Sequence, residues 1–167
     1  MQIRAEEERD RAAVYKLNRA AFESDVEANL AVAVRLQADP HISLVAAEAG
    51  EIIGHIMFSP ATLSADPELL AMGLGPMAVL PRRQREGIGS ALVRAGLDDC
   101  RQLEVQAVFV LGHPQFYPRF GFVPASSYAI SSTYDVPDEV FMALELKPGA
   151  LSGKAGTMRY HRAFDEI

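Results

Sequence analysis

A single cysteine, Cys100, is all that this chain offers to thiol chemistry, so an internal disulfide is excluded. The four histidines stand apart from it and from one another, which leaves no clustered Cys/His set for a structural zinc site, and no metal is expected. No run approaches the length of a membrane-spanning helix, and Met1 to Asp10 is charged rather than apolar. No membrane association is therefore expected, and the cytoplasm is the expected location. Positive charge is also short: 16 Lys and Arg stand against 22 Asp and Glu, a formal net charge of −6 that argues against nucleic acid as a partner. An acidic exterior with a local basic pocket suits an anionic cofactor and a cationic amine.

What is present is enough for a core. With 167 residues, 49% hydrophobic, the chain fits one globular domain over 1–167. Gln2 to Arg4 reads as a short strand, and Ala5 to Phe22 shows helical spacing through Val14, Leu17 and Ala21. Ser24-Asp25-Val26-Glu27 has capping-box form and predicts a second helix to about Gln37. Ile42 to Glu48 and Glu51 to Ser59 predict two strands joined by a tight Ala49-Gly50 turn. Asp66-Pro67 predicts another turn, and Leu69 to Val79 a fourth strand whose regularity Gly73, Gly75 and Pro76 break. Gly87 to about Leu103 predicts a third helix, Val105 to Leu111 a buried strand, and Pro114 to Phe120 a short helix. Phe122-Val123 starts a strand and Glu139 to Leu146 is the last strong one. Ser126 to Asp138 reads as a long irregular connection, and Lys147 to Ile167, with three glycines, as a tail that wraps the domain or frays. The order predicts a mixed α/β (α+β) sandwich.

Chemistry concentrates in the run from Leu74 to Leu92. An apolar strand stops at Pro81, a loop with Arg82, Arg83 and Arg85 follows, and Gly87 and Gly89 open an amphipathic helix. Glycines there let backbone amides of a first helical turn approach an anion, so the run reads as a pyrophosphate cradle. The alternative is a solvated arginine-rich turn. A P-loop would need Lys-Ser or Lys-Thr after the second glycine, and a dinucleotide fingerprint a small residue at position 92. Ser90-Ala91 and Leu92 stand there instead. A nucleotide-binding domain is thereby disfavoured.

Gln84 to Gly89 resembles the coenzyme A motif Gln/Arg-x-x-Gly-x-Gly/Ala of the GNAT superfamily of N-acetyltransferases. Two further features agree. Pro76 cannot donate to a ladder and marks a bulge or an edge in the fourth strand. Gln115 to Phe122 resembles the Phe-Tyr-x-x-x-Gly-Phe signature of the same superfamily. The resemblance covers roughly residues 1–147, with 148–167 as a C-terminal extension, and the stretches 134–146 and 149–164 resemble its bacterial YhbS-like branch. It implies a central, mostly antiparallel sheet, bulged and splayed, flanked by helices, and acetyl-CoA as cosubstrate. It places cofactor contacts at Met77, Ala78, Val79, Gln84, Arg85, Glu86, Gly87, Ile88, Gly89 and Ser90. It also implies that Tyr117 faces the thioester sulfur as general acid. A homodimer is compatible with it.

Acetyl transfer to an amine needs a neutral nucleophile, an oxyanion site and a proton for the leaving thiolate. The phenol of Tyr117, with a reference pKa of about 10, is protonated at neutral pH and can serve as the acid. Its alternative role is as one ring of an aromatic core cluster with Phe116, Phe120 and Phe122. For the general base the sequence offers Glu27, Glu23, His55 and His113 with none standing out, Glu27 and His55 being the two carried forward, and release of the proton to bulk water is the alternative. No carboxylate lies between 74 and 80, where some relatives carry their base. Cys100 lies at the far end of the third helix, which favours direct attack in a ternary complex over an acyl-enzyme. The expected acceptor is a small-molecule or peptide amine. The competing reading is a sensor or adaptor that binds acyl-CoA without turnover.

Overall fold

In the computed structural model, which describes residues 1–166, the chain runs β1 (Gln2–Ala5), α1 (Arg11–Phe22), α2 (Val26–Gln37), β2 (Ile42–Glu48), β3 (Glu51–Leu63), β4 (Asp66–Val79), α3 (Ile88–Gln102), β5 (Ala107–Leu111), β6 (Val123–Pro124), β7 (Ile130–Ser132), β8 (Phe141–Glu145) and β9 (Gly156–Arg159). The sheet order is β1-β2-β3-β4-β5-β8-β6, antiparallel throughout except for the parallel β4/β5 pair. β9 joins the far end of β3 antiparallel and carries β7 beside it in parallel. This is the mixed, mostly antiparallel sheet expected.

Its two faces follow from the strand period of two. Along β4 and β5, Ala71, Ala107 and Phe109 turn to one face and Met72, Val108 and Val110 to the other. The first face is covered by Leu30, Ala31 and Val34 of α2, the second by Leu92, Val93 and Leu97 of α3. Burial on both faces explains why β5 reads as an unbroken apolar run. Ala49 and Gly50 take φ of 50° and 78°, the two-residue turn whose twist matches a hairpin.

Several local expectations give way to tertiary contacts. β3 runs on to Leu63 and β4 begins at Asp66, so the turn sits at 64–65 rather than at Asp66-Pro67. Pairing of Thr62 and Leu63 with β9 and an ion pair between Asp66 and Lys154 (2.6 Å) hold that hairpin tip in register. α1 starts at Arg11 rather than near Ala5, because the Asp10 carboxylate accepts from Arg4 (2.6 and 3.0 Å) and from the Glu7 amide (2.7 Å), fixing a 3-10 turn before it. The Ser24/Glu27 capping box does not form. Ser24 Oγ accepts from the Val26 amide instead (3.1 Å), and the N-cap is Asp25. The connection 126–138 is not irregular throughout, since it contains β7. The tail packs instead of fraying: Tyr160, Ala163 and Phe164 are buried against the α2 side of the sheet. Ile167, the last residue of that expected extension, lies outside the described residues.

One irregularity positions everything that follows. Ile56 of β3 faces Met77, but Phe58 faces Leu74, so β4 carries an extra residue at Gly75-Pro76. Pairing of β4 with β5 covers Ala71–Leu74 against Ala107–Val110 and then ceases. Beyond Leu74 the two parallel strands part.

Candidate active site

A cleft of about 1280 Å³ opens where β4 and β5 separate. Its floor is the outer edge of β4. The Leu80 amide donates to Ile53 O (3.0 Å), and Ala78 lies opposite His55, so the Leu80 and Ala78 amides point toward β3. Alternation then turns the amides of Met77 and Val79 to the opposite edge, toward the cleft. Of the three expected strand contacts, Met77 and Val79 present backbone donors, and Ala78 is committed to the sheet.

Beyond β4 the chain makes a 3-10 turn at Pro81–Arg83 and reaches Gly87, which caps α3 at φ 84°. A side chain there would be strained, and glycine lets the chain enter the helix directly from the loop. The first α3 bond runs from the Ala91 amide to Gly87 O (3.0 Å). The amides of Ile88, Gly89 and Ser90 precede it and have no intrahelical acceptor. All three residues line the cleft. Three aligned donors at the positive end of a helix are a built anion site.

The arginines before it divide. Arg82 pairs with Glu51 (2.5 Å) outside the cleft. Arg83 lines the cleft but is held by Glu48 (2.7 Å) and Glu86 (2.9 Å), and these two carboxylates raise its pKa. Glu86 is thus turned away from the cleft. Gln84 donates from its side chain to Val79 O (3.3 Å), bracing the loop against β4. Arg85, at φ 66°, lines the cleft and makes no ion pair among the described residues, so it is the guanidinium available to an anion.

Across the gap stands an aromatic wall. Tyr117 is 6% exposed, packs edge to face on Phe116 (5.0 Å) and Phe122 (5.6 Å), and lines the cleft. Membership of the aromatic cluster and access to the cleft are thus both true of it. Burial pushes its phenol up to about 12. Tyr160 comes from the tail: its hydroxyl accepts from the Leu111 amide (3.2 Å), just where β4 no longer supplies a carbonyl to β5. Its ring stacks on Phe164 (4.5 Å) and meets Tyr134 edge to face (6.1 Å). Gly73 leaves room for that ring, which would overlap any Cβ there. Burial, first of all, raises the Tyr160 phenol as well. Sequence reasoning reaches Tyr134 only as part of the long 126–138 connection, of a length that often carries substrate contacts, and it misses Tyr160 and Phe164. For these two the aromatic content of the tail is the signal, and no spacing links them to β4.

The base candidates also separate. Glu27, in the first turn of α2, lines the cleft, and its Oε2 is enclosed without a hydrogen-bond partner among the described residues. His113 lines the cleft at an exposed position just past β5. Glu23 does not line it. His55 is fully enclosed between β3 and α1 and does not line the cleft either, which removes it as a base. Ser43 Oγ donates to Glu6 (3.0 Å), so it must accept from His55 Nε2 (2.9 Å), leaving Nδ1 to accept from Asn18 (3.3 Å). Only the neutral ring satisfies both partners, and burial pushes the imidazole down to about 4. Cys100 is buried at the far end of α3, its thiol pushed up by burial to about 12.

Comparison with known proteins agrees with this geometry. Residues 2–125 match the family model described as the acetyltransferase (GNAT) domain. The chain is 33% identical to the N-acetyltransferase YhbS of Escherichia coli K12, with 100% of both chains covered. It is 36% identical to the N-acetyltransferase YjhQ of the same organism over 86% of this chain and 84% of that one. The crystal structure of Escherichia coli YhbS in complex with CoA matches with a TM-score of 0.91 at 32% identity, covering 98% of this chain and 91% of that one. A GNAT acetyltransferase from Brucella melitensis in complex with acetyl-CoA matches with a TM-score of 0.81 at 34% identity, covering 98% and 97%.

Proposed function

The chain belongs to the GNAT superfamily of acetyltransferases, and from that premise we propose that it transfers an acetyl group from acetyl-CoA to a primary amine by direct attack in a ternary complex. The observation that carries this reading is the meeting in one cleft of an amide-lined helix start, an unpaired β4 edge and a buried phenol. In this reading the whole chain acts as one N-acetyltransferase domain, working in the cytoplasm, where acetyl-CoA is made.

The residues present fit acetyl-CoA. The amides of Ile88, Gly89 and Ser90, with Arg85, would take the pyrophosphate, and the Met77 and Val79 amides the pantetheine arm and thioester carbonyl. When bound, the cosubstrate supplies an activated acetyl thioester. Preorganised amides at the developing oxyanion are worth about 3 kcal/mol each in the transition state. Glu27 receives the proton of the incoming ammonium, directly or through water, and the freed nitrogen forms the C–N bond. The C–N bond leaves an excess proton on nitrogen, which passes through water to the departing sulfur as the C–S bond breaks, while Tyr117 donates a hydrogen bond to that sulfur.

The elevated Tyr117 pKa has a consequence for that last step. A phenol at about 12 gives its proton less readily than the reference value of about 10 implies, set against a thiol near 8.5. Its donated hydrogen bond to the developing thiolate therefore carries more of the effect than a completed transfer. Calorimetry with acetyl-CoA, using ATP as the control, followed by a thiol-release assay with added amines, tests the proposal. Selective acetyl-CoA binding and amine-dependent thiol release are expected. Folded protein that fails to bind millimolar acetyl-CoA would overturn it.

A further inference from the structure

Glu27 is the one carboxylate among the described residues that line the cleft, whereas three arginines line it, Arg85 without an ion pair, Arg83 already held by Glu48 and Glu86, and Arg119 donating to Phe116 O. The end of the cleft that holds Glu27 is otherwise apolar. Phe22, at the close of α1, and Tyr134 are 40% and 37% exposed, large rings left open beside a cavity they line. Behind them Leu30, Tyr160 and Phe164 continue the surface into the core, the two rings stacked at 4.5 Å. The Glu27 Oε2 is buried without a hydrogen-bond partner among the described residues, and Glu27 lines the same cleft as these rings.

We propose that the acceptor is a monoamine whose single charge meets Glu27 and whose body is aromatic or branched apolar, an arylalkylamine in its simplest form. The assignment rests on the acetyltransferase reading of the same cleft. One carboxylate neutralises one ammonium. A second ammonium on the same molecule would find no second carboxylate among the described residues that line the cleft, and would desolvate against the rings or approach the arginines. An aryl group gains contact with Phe22 and Tyr134 in edge or offset packing. The charge count thus selects against polyamines and aminoglycosides, and the wall selects for an apolar body.

The test uses the full chain with acetyl-CoA and three amines: phenethylamine, spermidine and kanamycin. We expect kcat/KM for phenethylamine to exceed both others at least tenfold. In Phe22→Ala and Tyr134→Ala the KM for phenethylamine should rise severalfold while the KM for acetyl-CoA stays within twofold. Equal or better use of spermidine or kanamycin overturns the proposal, as does an unchanged phenethylamine KM in both variants. If none of the amines is acetylated, titration of phenethylamine into the CoA-loaded protein separates the two levels. Binding that Glu27→Gln abolishes and Tyr134→Ala weakens upholds the pocket and overturns the transfer reading. Absence of phenethylamine binding to protein that does bind acetyl-CoA overturns the pocket and leaves the transfer reading standing.

Discussion

The anion end of the cleft comes from one unbroken stretch, 74–90, and presents mainly backbone: the Met77 and Val79 amides on the strand edge and those of Ile88 to Ser90 at the helix start. The acceptor end gathers side chains from separate segments, Phe22 of α1, Glu27 and Leu30 of α2, Tyr134, and Tyr160 and Phe164 of the tail. The difference teaches which interactions a local sequence can specify. Amide donors are the same for nearly every residue, so a bulge at Gly75-Pro76 and a positive φ at Gly87 suffice to aim them. A pocket of side chains depends on where distant segments land, and its selectivity can change without disturbing the anion site.

Five substitutions would break or sharpen that contrast. Tyr117→Phe, between the two ends, should have the largest effect: kcat is expected to fall by about 10² or more with acetyl-CoA affinity unchanged, as measured by steady-state kinetics and calorimetry. Loss of affinity instead would mean that the phenol belongs to the binding end. Away from the cleft, between Asn18 of α1 and Ser43 of β2, His55 should govern acid stability. Its folded pKa lies near 4, below the unfolded reference of about 6.5, so from pH 6.5 down to 4 the unfolded chain binds the proton and the native chain does not. Stability is therefore full above pH 6.5 and declines by about 3 kcal/mol toward pH 4. Urea titrations across that window should show the decline in the wild type and a smaller one in His55→Gln, compared slope against slope.

At the anion end, Arg85→Ala should weaken acetyl-CoA binding about tenfold, the scale of one charge-assisted contact, whereas Arg82→Ala, already paired with Glu51, should change it less than twofold. Equal effects in calorimetry would mean that the loop acts as a diffuse field and not through one aimed guanidinium. Cys100→Ser should be the mildest, with turnover within twofold of wild type, because the thiol is buried and held protonated far from the cleft. A dead but folded variant would demand a covalent route.

The sequence alone determined the elements whose cause is local. Periodic apolar residues set α1, α2, α3 and the inner strands, Ala49-Gly50 set a hairpin, Gln84 to Gly89 the anion loop, and Pro76 the break in β4, because turn chemistry and side-chain period act within a few residues. Tertiary structure decided the rest. His55 looks like a base on a strand, but the packing of α1 over β3 encloses it and its partners hold it neutral. Glu27 looks like half of a capping box, but Ser24 accepts from the Val26 amide, the N-cap falls one residue later at Asp25, and the Glu27 carboxylate is left to the cleft. Arg82 and Arg83 look like phosphate ligands, but Glu51, Glu48 and Glu86 meet them first. The tail reads as a glycine-bearing end, but Tyr160 fills the gap that β4 leaves beside Leu111. In each case the deciding partner lies outside the segment's own sequence, and only closure of the sheet and its helices brings it within hydrogen-bonding or van der Waals reach.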